Sequence, residues 1–71
     1  MEFLVIVEKG ESSFGAYVPD LPGCVAAGQS RREVVKLIRE GIHLHIRTMH
    51  EAGEPVPRPS SKSEIVKFRA P

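Results

Sequence analysis

The stretch Tyr17 to Cys24, YVPDLPGC, combines two prolines, a glycine, one carboxylate and the only cysteine of the chain. Cys24 could act as a nucleophile, but no Arg, Lys or His lies within three residues to lower the pKa of its thiol. Asp20 has no second carboxylate beside it for acid–base work, and an Asp between prolines usually accepts hydrogen bonds within its own turn. The sequence therefore favours a structural or partner-facing segment over a catalytic one, and we expect that the chain is not an enzyme.

The histidines do not form a metal site in this pattern. His43 and His50 are seven residues apart on the polar face of a predicted helix, whereas His45 falls beside its apolar stripe. A zinc pair on a helix requires a spacing of three or four residues, and no cysteine or acid completes the ligand set here. We expect neither a metal nor a cofactor.

Basic residues on the same helix could instead contact phosphates, through Arg32, Lys36, Arg39 and Arg47. Glutamates interrupt this basic flank, and no aromatic residues are interleaved for base stacking. A solvated face of mixed charge is the simpler interpretation, and a nucleic-acid-binding module, for duplex RNA or DNA, stays as the alternative.

The length and composition of the chain limit the class of protein to which these residues can belong. The chain has 71 residues, 41% hydrophobic, with a net charge of +1, and it contains no apolar run of the ~20 residues that cross a bilayer. Glu2 stands where a secretory signal would carry basic residues, so we expect a cytoplasmic protein that does not enter the membrane. One cysteine cannot form an internal disulfide, and a core this small favours association with other chains.

Apolar patterning predicts three strands before the helix. Phe3–Val7 (FLVIV) reads as a strand buried on both faces, and the alternation over Phe14–Val18 predicts its antiparallel partner. Pro22 and Gly23 match the central pair of a type II turn, and Val25–Ala27 reads as a short third strand.

The helix and a last strand follow. Ser30 with Glu33 forms a capping-box pattern at the helix start, and an apolar stripe at helical spacing runs to about Ala52, where Gly53 suits a left-handed cap. Alternation over residues 64–69 predicts a fourth strand. The predicted fold is α+β, β-β-β-α-β, a four-stranded mixed sheet of order 3-2-1-4 with the helix on one face, in a single domain of residues 1–71. One helix cannot cover both faces of strand 1, so we expect a second copy or a protein partner on the other.

Taken in order, YVPDLPGC, VAAGQSRRE, the helix with GIHLHI, and GEPVPRP resemble the HicB antitoxin family over nearly the whole chain. The resemblance implies a degraded, ribonuclease H-like version of this fold and inhibition of a HicA-type toxin, a small mRNA-cleaving ribonuclease, by direct binding. Family members usually continue into a C-terminal DNA-binding domain, which we do not expect here. Strand 1 lacks the carboxylate of a ribonuclease H active site, so no catalysis is implied.

We therefore expect a non-catalytic antitoxin module of a toxin–antitoxin system that acts through protein–protein contacts and forms a homo-oligomer, a dimer or tetramer. A solitary homo-oligomeric relative without a toxin is a further alternative. The expected partner-binding residues, with the turn holding Asp20 and Leu21 exposed, are Tyr17, Asp20, Leu21, Pro22, Glu51 and Glu54.

Overall fold

The chain forms three strands followed by one long helix. The computed structural model describes residues 1–70, so the last residue of the predicted domain lies outside the described part. The strands are β1, Ile6–Lys9, β2, Phe14–Tyr17, and β3, Val25–Gly28, and the helix α1 is Arg31–Glu51. The sheet has the order β1-β2-β3 with both pairs antiparallel, which confirms the α+β class and the predicted 3-2-1 part of the order.

The first strand differs from its prediction in extent and in burial. Pairing with β2 begins only at Ile6, opposite Tyr17, because Pro19 beyond has no N–H to donate and the chain turns away there. None of residues 3–7 is fully buried, and β1 lies at the edge of the sheet. The prediction of a central strand buried on both faces is therefore wrong for this structure.

The predicted fourth strand is not formed among the described residues. Residues 64–69 have no strand partner, and Ile65, Val66 and Phe68 are all exposed. A period-two pattern gives a segment strand propensity, but a strand forms only when it pairs with a neighbour, and residues 64–69 do not lie along the open edge of β1. The order therefore stops at three strands.

Local signals at both helix ends are confirmed. The Ser30 hydroxyl accepts a hydrogen bond from Glu33 N at 3.1 Å, while the Glu33 carboxylate accepts one from Gln29 N at 2.7 Å, one residue earlier than in the usual capping box. At the other end Gly53 has a φ of 73°, and Glu54 N donates to Met49 O. This is a Schellman cap, which ends the helix at the predicted place.

The core is small and lies between the sheet and α1. Its buried residues are Ala16, Val18, Leu21, Cys24, Val34 and Ile38. The helix lies mainly over β3 and β2 and makes less contact with β1. As a result, the segment from β2 to β3 contributes most of the core, and β1 is the strand that the helix covers least.

Candidate partner-binding surface

Two consecutive turns shape the segment that joins β2 to β3. Leu21 N donates to Val18 O, and Cys24 N donates to Leu21 O, both at 3.0 Å. Pro19 and Pro22 occupy the second position of their turns, and Gly23 has the φ of 85° that a type II turn requires. The bond from Val18 N to Cys24 O closes this double turn, residues 18–24, into one rigid unit.

Leu21 points into the core from the middle of the double turn. Its side chain is 0% exposed, so the prediction that the turn holds Leu21 exposed is wrong. The reason is that each turn bends the chain inward at Leu21, where Val18, Val34 and Ile38 complete an apolar cluster. Leu21 can support recognition only by fixing the shape of the turn.

Asp20 anchors a distant part of the chain. Its carboxylate accepts hydrogen bonds from the backbone N–H and the hydroxyl of both Ser60 and Ser61, at 2.7 to 3.1 Å. These bonds, led by those of Ser61, lower the pKa of Asp20 from 3.8 to about 2. The role of Asp20 seen in the structure is thus to hold the segment after the helix. The sequence does not predict these serine contacts, because nothing in the polar run that contains them indicates a bond to a residue forty positions earlier.

Cys24 is not poised for chemistry. Its side chain is buried, and desolvation raises the pKa of the thiol above its usual value. A thiol in this state is a small apolar core side chain. Among residues 1–70, no group of three or more His, Cys, Asp or Glu could hold a metal ion.

A groove lies between the double turn and the C-terminal half of α1. Its volume is about 770 Å³, and Pro22 and Glu54, both predicted from the sequence, lie on its rim. Val25, Leu44, Thr48 and Met49 also line it and were missed as site residues, because their exposure depends on how the helix crosses β3.

The groove continues onto the outer face of the sheet. Ile6, Tyr17 and Val25 are aligned across the three strands, on the face opposite α1. Tyr17 is 41% and Val25 69% exposed, so this row presents apolar surface to solvent. We call the groove and this row together the turn surface. Glu51 is exposed on the helix but does not line the groove.

The predicted phosphate-contacting residues divide into two groups. Arg32, Lys36 and Arg39 surround Val35 in a depression of about 600 Å³, whereas Arg47 does not line it. No aromatic side chain lines this depression. No helix in the described part of the chain is long and apolar enough to span a membrane.

The fold and the turn surface define a small α+β module with an open, partly apolar surface. The chain belongs to the HicB-like antitoxins of bacterial toxin–antitoxin systems, whose family model matches residues 3–69. This is a family of antitoxins and not of enzymes, in agreement with the expectation from the sequence.

Individual relatives support the assignment. A UPF0150 protein of Thermoplasma acidophilum is 32% identical over 93% of this chain and 97% of its own length. The N-terminal domain of the Burkholderia pseudomallei antitoxin HicB is 38% identical, with a TM-score of 0.78 over 87% of this chain and 74% of that one. A chain of the HicA3–HicB3 toxin–antitoxin complex is 28% identical, with a TM-score of 0.72 over 84% of this chain and 70% of that one.

Proposed function

We propose that this chain binds and inhibits a HicA-type mRNA-cleaving ribonuclease toxin, and that it does so through the turn surface. The observation that carries the proposal is the continuity of the groove with the exposed row on the sheet, joined at Val25. An apolar patch with a polar rim is typical of protein contacts. A structural neighbour of this chain comes from a toxin–antitoxin complex, which also favours binding to a toxin.

Two acidic side chains near the groove also support the proposal. Glu54 lines the groove, and Glu51 lies exposed at the last position of α1, three residues before it. Exposed acidic groups beside an apolar centre increase the encounter rate with a basic partner more than they increase affinity. We therefore expect neutralisation of these glutamates to slow association, and loss of the apolar centre to speed dissociation.

Two exposed leucines on α1 provide a matched test. Leu44 is 57% exposed and lines the groove, whereas Leu37 is 39% exposed and lies outside it. Burial of a leucine is worth about 1.5–3 kcal/mol, so Leu44→Lys should weaken toxin binding by about tenfold or more. Leu37→Lys makes the same chemical change on the same helix and should leave the affinity within about twofold.

The measurement is calorimetric titration with a HicA-type toxin, sought in the reading frames next to the gene for this chain, together with growth rescue on co-expression. Equal loss of affinity in both variants would exclude the turn surface as the contact. A toxin that stays fully active in the presence of the folded chain would exclude inhibition altogether.

The proposal also includes the cellular location, the self-association and the complete sheet of this chain. We infer that the chain acts in the cytoplasm, that it self-associates, and that the complete sheet has the four-stranded, ribonuclease H-like form. The support is the open edge of β1 and the exposed, strand-like pattern of residues 64–69. A partner copy would bury both.

Nucleic-acid binding is the second candidate, favoured by the clustering of Arg32, Lys36 and Arg39 in one depression. Gel shifts with duplex RNA and DNA at several salt concentrations test it, because phosphate contacts weaken steeply with salt. The charge reversal Lys36→Glu should abolish any such shift and leave toxin binding unchanged. A salt-independent shift, or none at low salt, would contradict this candidate.

A further inference from the structure

The segment after Ser61 leaves the body of the molecule with apolar side chains in solvent. Ile65 is 94%, Val66 75% and Phe68 85% exposed. The radius of gyration is 14.3 Å, and the longest dimension is 51 Å against 27 and 16 Å for the other two. A compact chain of this length has a radius of gyration of about 11 Å. The excess reflects a projecting tail, residues 62–70, that no other part of residues 1–70 covers.

The start of this tail is fixed. Asp20 holds Ser60 and Ser61 through backbone and hydroxyl bonds. Residues 59–63 lie beside residues 2–4, and the two stretches line a depression of about 430 Å³. The tail therefore departs from a defined point close to the chain leading into β1.

The β1 edge is the counterpart of the tail. β1 pairs only with β2, so one row of its backbone N–H and C=O groups is open. Between the chain entering β1 and the helix lies a groove of about 280 Å³, lined by Met1, Phe3, Arg39, Ile42, His43 and Ile46. Its three apolar core-facing residues, Phe3, Ile42 and Ile46, are only half-buried, so the core is incomplete at this flank.

The apolar alternation and the net charge of the tail are complementary to the β1 flank. Alternation places Val66 and Phe68 on one face of an extended segment, and Lys67 and Arg69 on the other. Residues 62–69 contain three basic side chains and one acidic, a net +2, whereas residues 2–11 contain three glutamates and one lysine, a net −2. These opposite charges favour pairing of the tail with the β1 hairpin, whereas the like charges of two tails disfavour their pairing with each other.

We propose that residues 64–69 of one copy add as a fourth strand to the β1 edge of a second copy, with Val66 and Phe68 over the groove beside Phe3. Exchange is reciprocal, so one two-fold dimer closes two edges and covers two tails. A second copy is the occupant because the tail, fixed at Ser61, leads away from its own sheet. The inference rests on the self-association proposed above and specifies its structure.

The proposal is tested on the full chain by sedimentation equilibrium together with amide hydrogen exchange, both over a range of concentrations. The expected result is a dimer in which the amides of residues 64–69 are protected, with protection lost on dilution to monomer. Phe68→Lys should weaken dimerisation by at least about tenfold, the effect of losing one anchor residue, and Leu37→Lys should not.

The other outcomes distinguish the strand exchange from self-association in general. A dimer whose tail amides exchange freely would overturn the strand exchange and leave self-association standing. Protection that persists after dilution to monomer would mean that the tail pairs with its own β1, and would overturn the exchange. A monomer at every concentration would overturn both, while toxin binding and inhibition are measured separately by the titration and the growth rescue described above.

Discussion

Replacement of Leu21 by alanine tests whether the double turn is held from inside. Leu21 is fully buried, and truncation of such a leucine removes transfer free energy and leaves a cavity, at a cost of about 2–5 kcal/mol. A 71-residue chain has a free energy of unfolding of about 4–11 kcal/mol. The substitution should therefore remove a large fraction of the total stability. At about 4–8 °C per kcal/mol, a 3 kcal/mol loss lowers the midpoint of thermal unfolding by roughly 12–24 °C.

The assay is thermal and urea unfolding followed by circular dichroism, with Leu37→Ala as the matched control. Leu37 is 39% exposed and its truncation should cost less than about 1 kcal/mol, since the cavity term is absent. Residual folded Leu21→Ala protein should also bind the toxin more weakly, because Pro22 and Val25 lose their fixed positions. If both alanine variants unfold at similar temperatures, the turn is not supported by Leu21 and the reasoning fails.

Two further predictions follow from single contacts. Because hydrogen bonds depress the pKa of Asp20 in the folded chain, its contribution to stability is present above pH 3.8 and is lost as pH falls through about 2. The amide shifts of Ser60 and Ser61 should titrate with that lower midpoint and should not titrate in Asp20→Asn, whereas a midpoint near 3.8 would contradict the anchoring role. Gly41→Ala should raise stability by about 1 kcal/mol through helix propensity, since the added Cβ would lie 3.8 Å from Cys24 Sγ, an ordinary contact. Destabilisation of that variant in urea unfolding would show that the helix approaches the turn more closely than this.

Local signals in the sequence predicted the structure well wherever the cause is local. Pro22 with Gly23 specified its turn, Ser30 with Glu33 the helix start, and Gly53 the helix end, because backbone bonds within a few residues determine each of them. The family resemblance, carried by the same segments, is confirmed by the match over residues 3–69.

The errors concern contacts between distant segments. Leu21 was placed outside because its neighbours Asp20 and Pro22 are residues typical of exposed turns, although an apolar side chain between two tight turns is free to face inward. The Asp20–Ser61 contact spans forty-one residues and has no sequence signal. The groove residue Leu44 was not predicted as a site residue, since its place beside the double turn depends on how α1 packs over β3.

Under the binding role proposed above for the turn surface, the placement of the core links stability to recognition. Four of the buried residues, Ala16, Val18, Leu21 and Cys24, belong to β2 and the double turn, whose outer atoms form part of the turn surface. A chain this small cannot separate a structural layer from a binding layer, because the same few residues supply both. A partner seated on the turn surface would therefore stabilise the fold itself, by about 2.7 kcal/mol at a hundred times its dissociation constant. Substitutions inside the turn must then affect binding and folding together, whereas substitutions such as Leu44→Lys, at the exposed groove wall, affect binding alone.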